Sequence, residues 1–152
     1  MASKPKKRKT RRTTPPLTRA MLLPMSAELA SKVSLHNHLA LVALRQGQGN
    51  ADLIAELLKT VYVAYDLLDP SQLATQAGYF TRAETAIKTL IKQAAATGEW
   101  RLAEEQCEGI EVIVSLHDAQ LAALRKHQVD GAKDRLMRVL ERGSFPILIP
   151  DV

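Results

Sequence analysis

The fold class is decided by residues 50–68, which read NADLIAELLKTVYVAYDLL. Asn50 suits the cap position of a helix, and Asp52 follows in the first turn, where a negative charge is favourable. Behind them, apolar side chains recur every three or four residues, which is the spacing of one face of an α-helix. The members of this face are Ile54, Leu57, Leu58, Val61, Tyr65 and Leu68. The stretch therefore predicts a helix that packs its apolar face against other helices.

A second helix is predicted on the N-terminal side of this stretch. Ser26 suits its cap position, and the helix is expected to run to about Gln46. Residues 39–44 are apolar without interruption, so we expect this helix to be buried on every face. Gly47 and Gly49 end it, since glycine tolerates the left-handed conformation that is common just past a helix end.

The residues after 68 predict two further helices. Asp69-Pro70 closes or bends the preceding helix, because the residue before a proline avoids helical geometry. A loosely helical connection through Gly78 follows, and Thr81 and Glu84 have the spacing of a capping box that starts the next helix. Thr97-Gly98 ends that helix.

The last helical stretch is predicted to run from near Glu99 to Gly143 as one long helix with a weak point at Asp130-Gly131. We therefore expect an all-α fold: an antiparallel four-helix bundle with a long C-terminal helix. The domain boundaries follow as residues 1–24 for a basic disordered arm, 25–143 for the bundle and 144–152 for an extended apolar tail.

The arm holds the excess positive charge of the chain. Residues 1–20 contain eight Lys and Arg and no acid, whereas the whole chain has 21 Lys and Arg against 16 Asp and Glu. Such a block repels itself and is expected to be disordered when free. Cations along a mobile chain can follow a phosphate backbone and release its counterions, so we expect them to bind nucleic acid. They are Lys4, Lys6, Lys7, Arg8, Lys9, Arg11, Arg12 and Arg19.

Composition excludes several other classes of protein. Cys107 is the single cysteine, so no intramolecular disulfide can form. No apolar run approaches the ~20 residues that span a bilayer, and no signal peptide is evident. We therefore expect no membrane association and a location in the compartment of synthesis. Residues 5–9 also resemble a short basic nuclear-import signal, which leaves a nuclear location open for a eukaryotic cell.

No motif in the sequence specifies an enzyme, a cofactor or a metal site. His36 and His38 lie about 200° apart on a helix, so they cannot hold one metal ion together. No Glu-x-x-His or His-x-x-x-His pair occurs, and no glycine-rich phosphate loop is present. An acidic run on the last helix is interpreted as a solvated face, with a carboxylate metal cluster as the alternative. It consists of Glu104, Glu105, Glu108 and Glu111.

Two segments carry a resemblance to a known group of proteins. Residues 37–44, NHLALVAL, followed by Gly47 and Gly49, and residues 116–121, LHDAQL, resemble short helical proteins encoded by phages, prophages and plasmids of bacteria, some of them labelled Fis-like regulators. The resemblance implies a mobile-element accessory protein in a bacterial cytoplasm. This chain lacks the C-terminal helix-turn-helix with which Fis proteins read DNA. The polar residues of the two segments are expected to form a buried network between helices: Asn37, His38, His117, Asp118 and Gln120.

Two functions stay open at this point. In the first, the protein is an accessory or regulatory nucleic-acid-binding protein: the bundle oligomerises and the arm binds DNA or RNA. A dimer is favoured because the last helix looks too long for its neighbours to cover. In the second, the bundle is a protein-interaction module that captures a host or phage protein, and the arm is secondary. The C-terminal helix and residues 145–149 would then be the working surface.

Overall fold

The computed structural model of the chain describes residues 15–143, and within that range it contains helices and no strand. The all-α prediction is therefore confirmed for these residues. The helices are α1 (Arg19–Leu22), α2 (Ala27–Arg45), α3 (Ala51–Asp66), α4 (Pro70–Thr97), α5 (Glu104–Ala123) and α6 (Lys126–Glu141). None of them is long and apolar enough to cross a membrane.

The starts of α2 and α3 follow the predicted caps. The Ser26 side chain accepts a hydrogen bond from the backbone N–H of Leu29 at 3.2 Å, and the Asn50 side chain accepts one from Leu53 at 2.9 Å. Each bond satisfies one of the backbone donors that a helix leaves unpaired at its N-terminus. Gly47, just past α2, has a φ of 74°, as expected for a glycine that ends a helix.

Helix α4 starts eleven residues earlier than the predicted capping box at Thr81. Asp69 caps it instead: its side chain accepts from Gln72 N at 2.9 Å, and Gln72 reaches back to Asp69 N at 3.4 Å. Pro70 then occupies the first helical position, where its missing N–H costs nothing. The prediction of a loose connection through Gly78 is wrong, since the helix is continuous there, and the Thr81 hydroxyl donates to the carbonyl of Ala77 at 3.2 Å.

The prediction of one long C-terminal helix is wrong, because the helix is interrupted at Leu124 and Arg125. Both residues are extended, with ψ values of 151° and 142°. The predicted weak point at Gly131 lies inside α6. A tertiary contact explains the position of the break: the backbone N–H of Lys126 donates to the carbonyl of Leu23, at the end of α1, at 2.8 Å.

The segment before α5 is also not helical. Residues 98–103 lie outside any helix, and within them Leu102 is only 2% exposed. Its backbone N–H donates to the carbonyl of Leu44 near the end of α2 at 3.0 Å. The predicted start near Glu99 is therefore five residues too early, since α5 begins at Glu104.

The hydrophobic core lies around α3, which packs against α2, α4, α5 and α6. The apolar face predicted for α3 is confirmed, with its first four members buried and Tyr65 and Leu68 packed at the edge of the core. The antiparallel four-helix arrangement stays a prediction, because six helices share the described residues.

Helix α2 is not buried on every face, contrary to the prediction. Leu35, Leu39 and Val42 are 60%, 57% and 43% exposed. Their spacing of four and three residues places them along one side of the helix. We call these three residues the α2 apolar stripe. An uninterrupted apolar run cannot distinguish a helix inside a core from one with an apolar side in solvent, and here the second arrangement holds.

The two predicted terminal segments lie largely outside the described residues. Residues 1–14 of the arm and residues 144–152, with the apolar tail at 145–149, belong to this part of the chain. Residues 19–22 of the predicted disordered arm form α1, which packs against α6. The prediction of disorder is therefore wrong for this last part of the arm.

Candidate nucleic-acid interface

The structure shows where the basic arm joins the helical domain. Arg19 is the first residue of α1 and is exposed. The other seven cations predicted to bind nucleic acid lie outside the described residues: Lys4, Lys6, Lys7, Arg8, Lys9, Arg11 and Arg12. The chain that precedes Arg19 therefore starts from a fixed point on the domain surface.

Two hydrogen bonds hold this point against the N-terminal end of α6. One is the bond from Lys126 N to the carbonyl of Leu23 described above. In the other, Nδ1 of His127 lies 2.9 Å from the carbonyl oxygen of Met21. Because a carbonyl oxygen can only accept, Nδ1 of His127 carries the proton. The root of the arm is therefore attached to α6 on both sides of Leu22.

A line of arginines runs along the C-terminal half of α6. Arg135, Arg138 and the cap residue Arg142 are exposed and spaced by three and four residues, so they share one face of the helix. Seven residues of helix rise about 10 Å, roughly the axial rise of three phosphates on one DNA strand. We call these three residues the α6 arginine stripe.

Two of the three arginines in the stripe are available for a ligand. Arg135 is engaged by Asp66, with Nε and Nη2 at 2.9 and 2.6 Å from one carboxylate oxygen. Arg138 and Arg142 form no ion pair with any group in residues 15–143. Arg135 also lines a surface groove of about 320 Å³ together with His127, so the stripe begins next to the residue that holds the arm.

Charge differs sharply between the last two helices. Residues 125–142 contain six Lys and Arg against three Asp and Glu, whereas residues 104–123 contain five Asp and Glu and no Lys or Arg. The acidic run predicted as a solvated face is exposed on α5, and Arg45 of α2 lies 3.4 Å from both Glu104 and Glu111. No group of three His, Cys, Asp or Glu in residues 15–143 is arranged to hold a metal ion. Residues 125–142 therefore carry an excess of three positive charges, on the helix that contacts α1.

The polar residues predicted to form one buried network instead make separate contacts. His38 and Asp118 form a pair between α2 and α5, with Nε2 and Oδ2 2.8 Å apart and side chains that are 41% and 29% exposed. Asn37 is buried and accepts a hydrogen bond from the hydroxyl of Thr60 at 3.2 Å. The prediction is thus wrong for His38 and Asp118, which lie near the surface. It holds for the burial of Asn37.

His117 and Gln120 form the buried part of the predicted network. Nδ1 of His117 lies 3.0 Å from Oε1 of Gln120, and Nε2 of Gln120 donates to the carbonyl of Ala64 in α3 at 2.9 Å. Since that carbonyl needs a donor, the amide orientation of Gln120 is fixed, and its Oε1 accepts a hydrogen bond from the Nδ1–H of His117. Burial lowers the pKa of His117 below its ordinary value, so the ring is neutral and its Nε2 is a hydrogen-bond acceptor.

The α6 arginine stripe was missed by reasoning from sequence alone. Its signal is the spacing of Arg135, Arg138 and Arg142, which is visible in the sequence. However, the last stretch was interpreted as one long helix of mixed charge. In such a helix, the face that carries these arginines looks the same as any solvent-exposed face. The break at residue 125 and the attachment of α1 show that the stripe lies on the same helix that contacts the end of the arm.

Comparison with known proteins adds no relative: no family model, no curated protein and no solved structure matches this chain. The likeness to mobile-element accessory proteins stays an expectation from the two segments at residues 37–44 and 116–121.

Proposed function

We propose that this protein is a non-enzymatic nucleic-acid-binding accessory or regulatory protein of a bacterial mobile element, acting in the cytoplasm. It binds phosphates through its basic N-terminal arm and through the α6 arginine stripe. One observation carries the proposal: α1 is attached to the N-terminal end of α6, the helix whose C-terminal half carries the stripe. Arg138 and Arg142 lie about 18 and 24 Å from this attachment along the helix axis, so a nucleic acid that is held by the arm and lies along α6 reaches both.

The binding is electrostatic and independent of sequence. Each phosphate neutralised on duplex DNA contributes about −0.9 to the slope of log K against log salt. The eight cations of the arm would give a slope of about −7 if all engaged, and Arg138 and Arg142 would add about −2. The acidic α5 repels the same ligand, which orients the domain with α6 towards the nucleic acid.

We further propose that the domain, with α2–α5 as an antiparallel bundle, forms a homodimer through the α2 apolar stripe. The original reason for expecting a dimer, an overlong last helix, no longer applies because that helix is split. The stripe provides a different reason: Leu35, Leu39 and Val42 expose large apolar surfaces in a row, and a second copy would cover both rows at once. A dimer carries two arms, which raises its avidity for a long polyanion.

The alternative function, a helical protein-interaction module, is favoured by the same stripe if its occupant is a host or phage protein. The surface expected for this role from sequence was the last helix with the apolar tail. Val129 and Leu136 of α6 are buried, and residues 145–149 lie outside the described residues. The α2 apolar stripe is therefore the better candidate surface for such a partner.

The test is fluorescence anisotropy of labelled duplex DNA and single-stranded RNA at several salt concentrations. The wild type is compared with an arm variant in which the seven cations of residues 4–12 are replaced by Gln, and with Arg138→Gln/Arg142→Gln. We expect the arm variant to lose most affinity and the double variant to reduce the magnitude of the salt slope by about 2.

The matched control is Arg82→Gln/Lys92→Gln, which removes two exposed cations of α4 that form no ion pair within residues 15–143 and should leave the slope unchanged. If the control and the α6 variant lower the slope equally, the stripe has no special role. If the arm variant binds as tightly as the wild type, the nucleic-acid function is wrong and a protein partner should be sought.

A further inference from the structure

A cavity of about 460 Å³ lies between α2, α3, α5 and α6, away from the arginine stripe. Its polar lining includes Asn37, Thr60 and His117, and its apolar walls include Val63 and Leu136. Small-molecule sites in proteins are commonly about 300–1,000 Å³, mostly apolar, with a few convergent polar groups. The cavity has the size and the lining of such a site.

Asn37 presents an unused hydrogen-bond donor at this cavity. The residue is only 3% exposed, and its Oδ1 is occupied by the Thr60 hydroxyl. Its Nδ2 is buried and has no hydrogen-bond partner. Buried side-chain N–H groups in folded proteins nearly always have an acceptor. Asn37 is one of the lining residues, so a ligand in the cavity would supply this acceptor after a small rotation of the side chain.

His117 adds an acceptor to the same lining. Its Nδ1 proton is committed to Gln120, and the neutral ring leaves Nε2 with a free lone pair, as derived above. Nε2 makes no hydrogen bond within residues 15–143. Asn37 and His117 therefore offer one donor and one acceptor from two different helices.

Three lysines from three helices also line the cavity. Lys32 belongs to α2, Lys59 to α3 and Lys133 to α6, and the one carboxylate among the lining residues is Glu56. Glu56 lies 2.9 Å from Nζ of Lys59, and Glu28 lies 3.2 Å from Nζ of Lys32. Lys133 forms no ion pair with any group in the described part of the chain. The positive charge that favours an anion in this cavity is therefore that of Lys133.

We propose that this cavity binds a small organic anion with a phosphate or carboxylate head, of about the size of a nucleoside monophosphate. The head contacts Lys133 and accepts a hydrogen bond from Nδ2 of Asn37, while the body of the ligand packs against Val63 and Leu136 and donates to Nε2 of His117. An inorganic phosphate would leave most of the volume empty, so an organic body is required. The site is independent of the proposed nucleic-acid function, because Lys133 is not part of the arginine stripe.

The experiment is an NMR titration of the isotopically labelled full-length protein, observing the side-chain amide of Asn37 and the ring of His117. The probes are uridine 5′-monophosphate, uridine, phenylacetate and inorganic phosphate. We expect saturable shifts of both side chains with uridine 5′-monophosphate or phenylacetate, depending on whether the head is a phosphate or a carboxylate. Uridine and inorganic phosphate alone should bind much more weakly.

Variants separate this site from the basic arm, which also attracts anions. Lys133→Gln should weaken binding about tenfold, since it removes one hydrogen bond to a charged group. Asn37→Leu should have a similar effect, and Lys133→Gln keeps the test valid if Asn37→Leu does not fold. Lys92→Gln is the control and should leave the affinity unchanged. The proposal is overturned if no probe shifts Asn37 and His117, or if Lys133→Gln binds as the control does.

Discussion

Gln120→Leu is the substitution whose effect follows most directly from the structure. Nε2 of Gln120 bonds the carbonyl of Ala64, which lies in the last turn of α3. The backbone donor four residues further on, Leu68 N, bonds Tyr65 instead, so the helix itself leaves the Ala64 carbonyl without a partner. Gln120 therefore completes the C-terminal end of α3 from α5, and its Oε1 also fixes the ring of His117.

Leucine at position 120 keeps the approximate volume and removes both hydrogen bonds. The Ala64 carbonyl and the His117 N–H then stay buried without partners, at a cost of about 1–3 kcal/mol each. We expect a loss of about 2–4 kcal/mol in the free energy of unfolding, a large part of the roughly 5–15 kcal/mol of a typical domain. For a chain of this length, the melting temperature should fall by roughly 5–15 °C.

The assay is urea unfolding followed by circular dichroism, which gives the free energy of unfolding and its dependence on denaturant. Gln93→Leu is the control, because Gln93 is exposed on α4, and its substitution should change stability by less than about 0.5 kcal/mol. If Gln120→Leu is no less stable than this control, the buried bridge from α5 to α3 does not contribute as described.

Three further predictions concern pH, assembly and backbone conformation. Burial lowers the folded-state pKa of His117, so the unfolded chain binds its proton more readily than the folded one does. The stabilisation from the neutral ring is therefore complete above the unfolded pKa of about 6.5 and is lost as pH falls below that value. Urea unfolding from pH 7.5 to 5 should show this loss, and His117→Asn should show a weaker pH dependence. Leu39→Lys should convert the proposed dimer to a monomer in analytical ultracentrifugation. The control Leu73→Lys, at an exposed leucine of α4, should leave the dimer intact. A monomeric wild type would contradict the proposed dimer. Gly98 and Gly78 test the backbone conformation alone, since a Cβ added at either position meets no atom within 4 Å. Gly98→Ala should destabilise the fold by about 1 kcal/mol because its φ is 75°, and Gly78→Ala, inside α4, should stabilise it by about 0.5–1 kcal/mol. Equal effects of the two substitutions in thermal unfolding would refute this reasoning.

The helix starts and the apolar face that depend only on nearby residues were predicted correctly from sequence. Ser26 and Asn50 cap α2 and α3 as expected, because capping depends only on a side chain and the backbone three residues away. The apolar face of α3 was predictable for the same reason. The dipeptide Asp69-Pro70 follows the end of α3 and also starts α4. The sequence analysis predicted the first of these roles and missed the second.

The features that sequence could not predict depend on contacts between distant segments. The break at Leu124 and Arg125 contains no glycine or proline, and its position is explained by the attachment of α1 to Lys126. The exposure of Leu39 depends on which neighbours cover α2, and composition alone does not contain that information.

The same limit applies to the candidate sites. The basic arm was evident from its charge, but the contact of its last residues, in α1, with α6 required the fold. The cavity proposed to bind a ligand likewise brings together Asn37, His117 and Lys133 from α2, α5 and α6.

Titration of unlabelled duplex DNA into the isotopically labelled full-length protein, followed by NMR of the backbone amides, tests the central claim most directly. The account predicts shifts in α1 and along the face of α6 that carries Arg138 and Arg142, with the amides of the acidic α5 unchanged. Shifts confined to the arm, with α1 and α6 unaffected, or shifts centred on α5, would contradict a nucleic-acid interface formed by the arm together with α6.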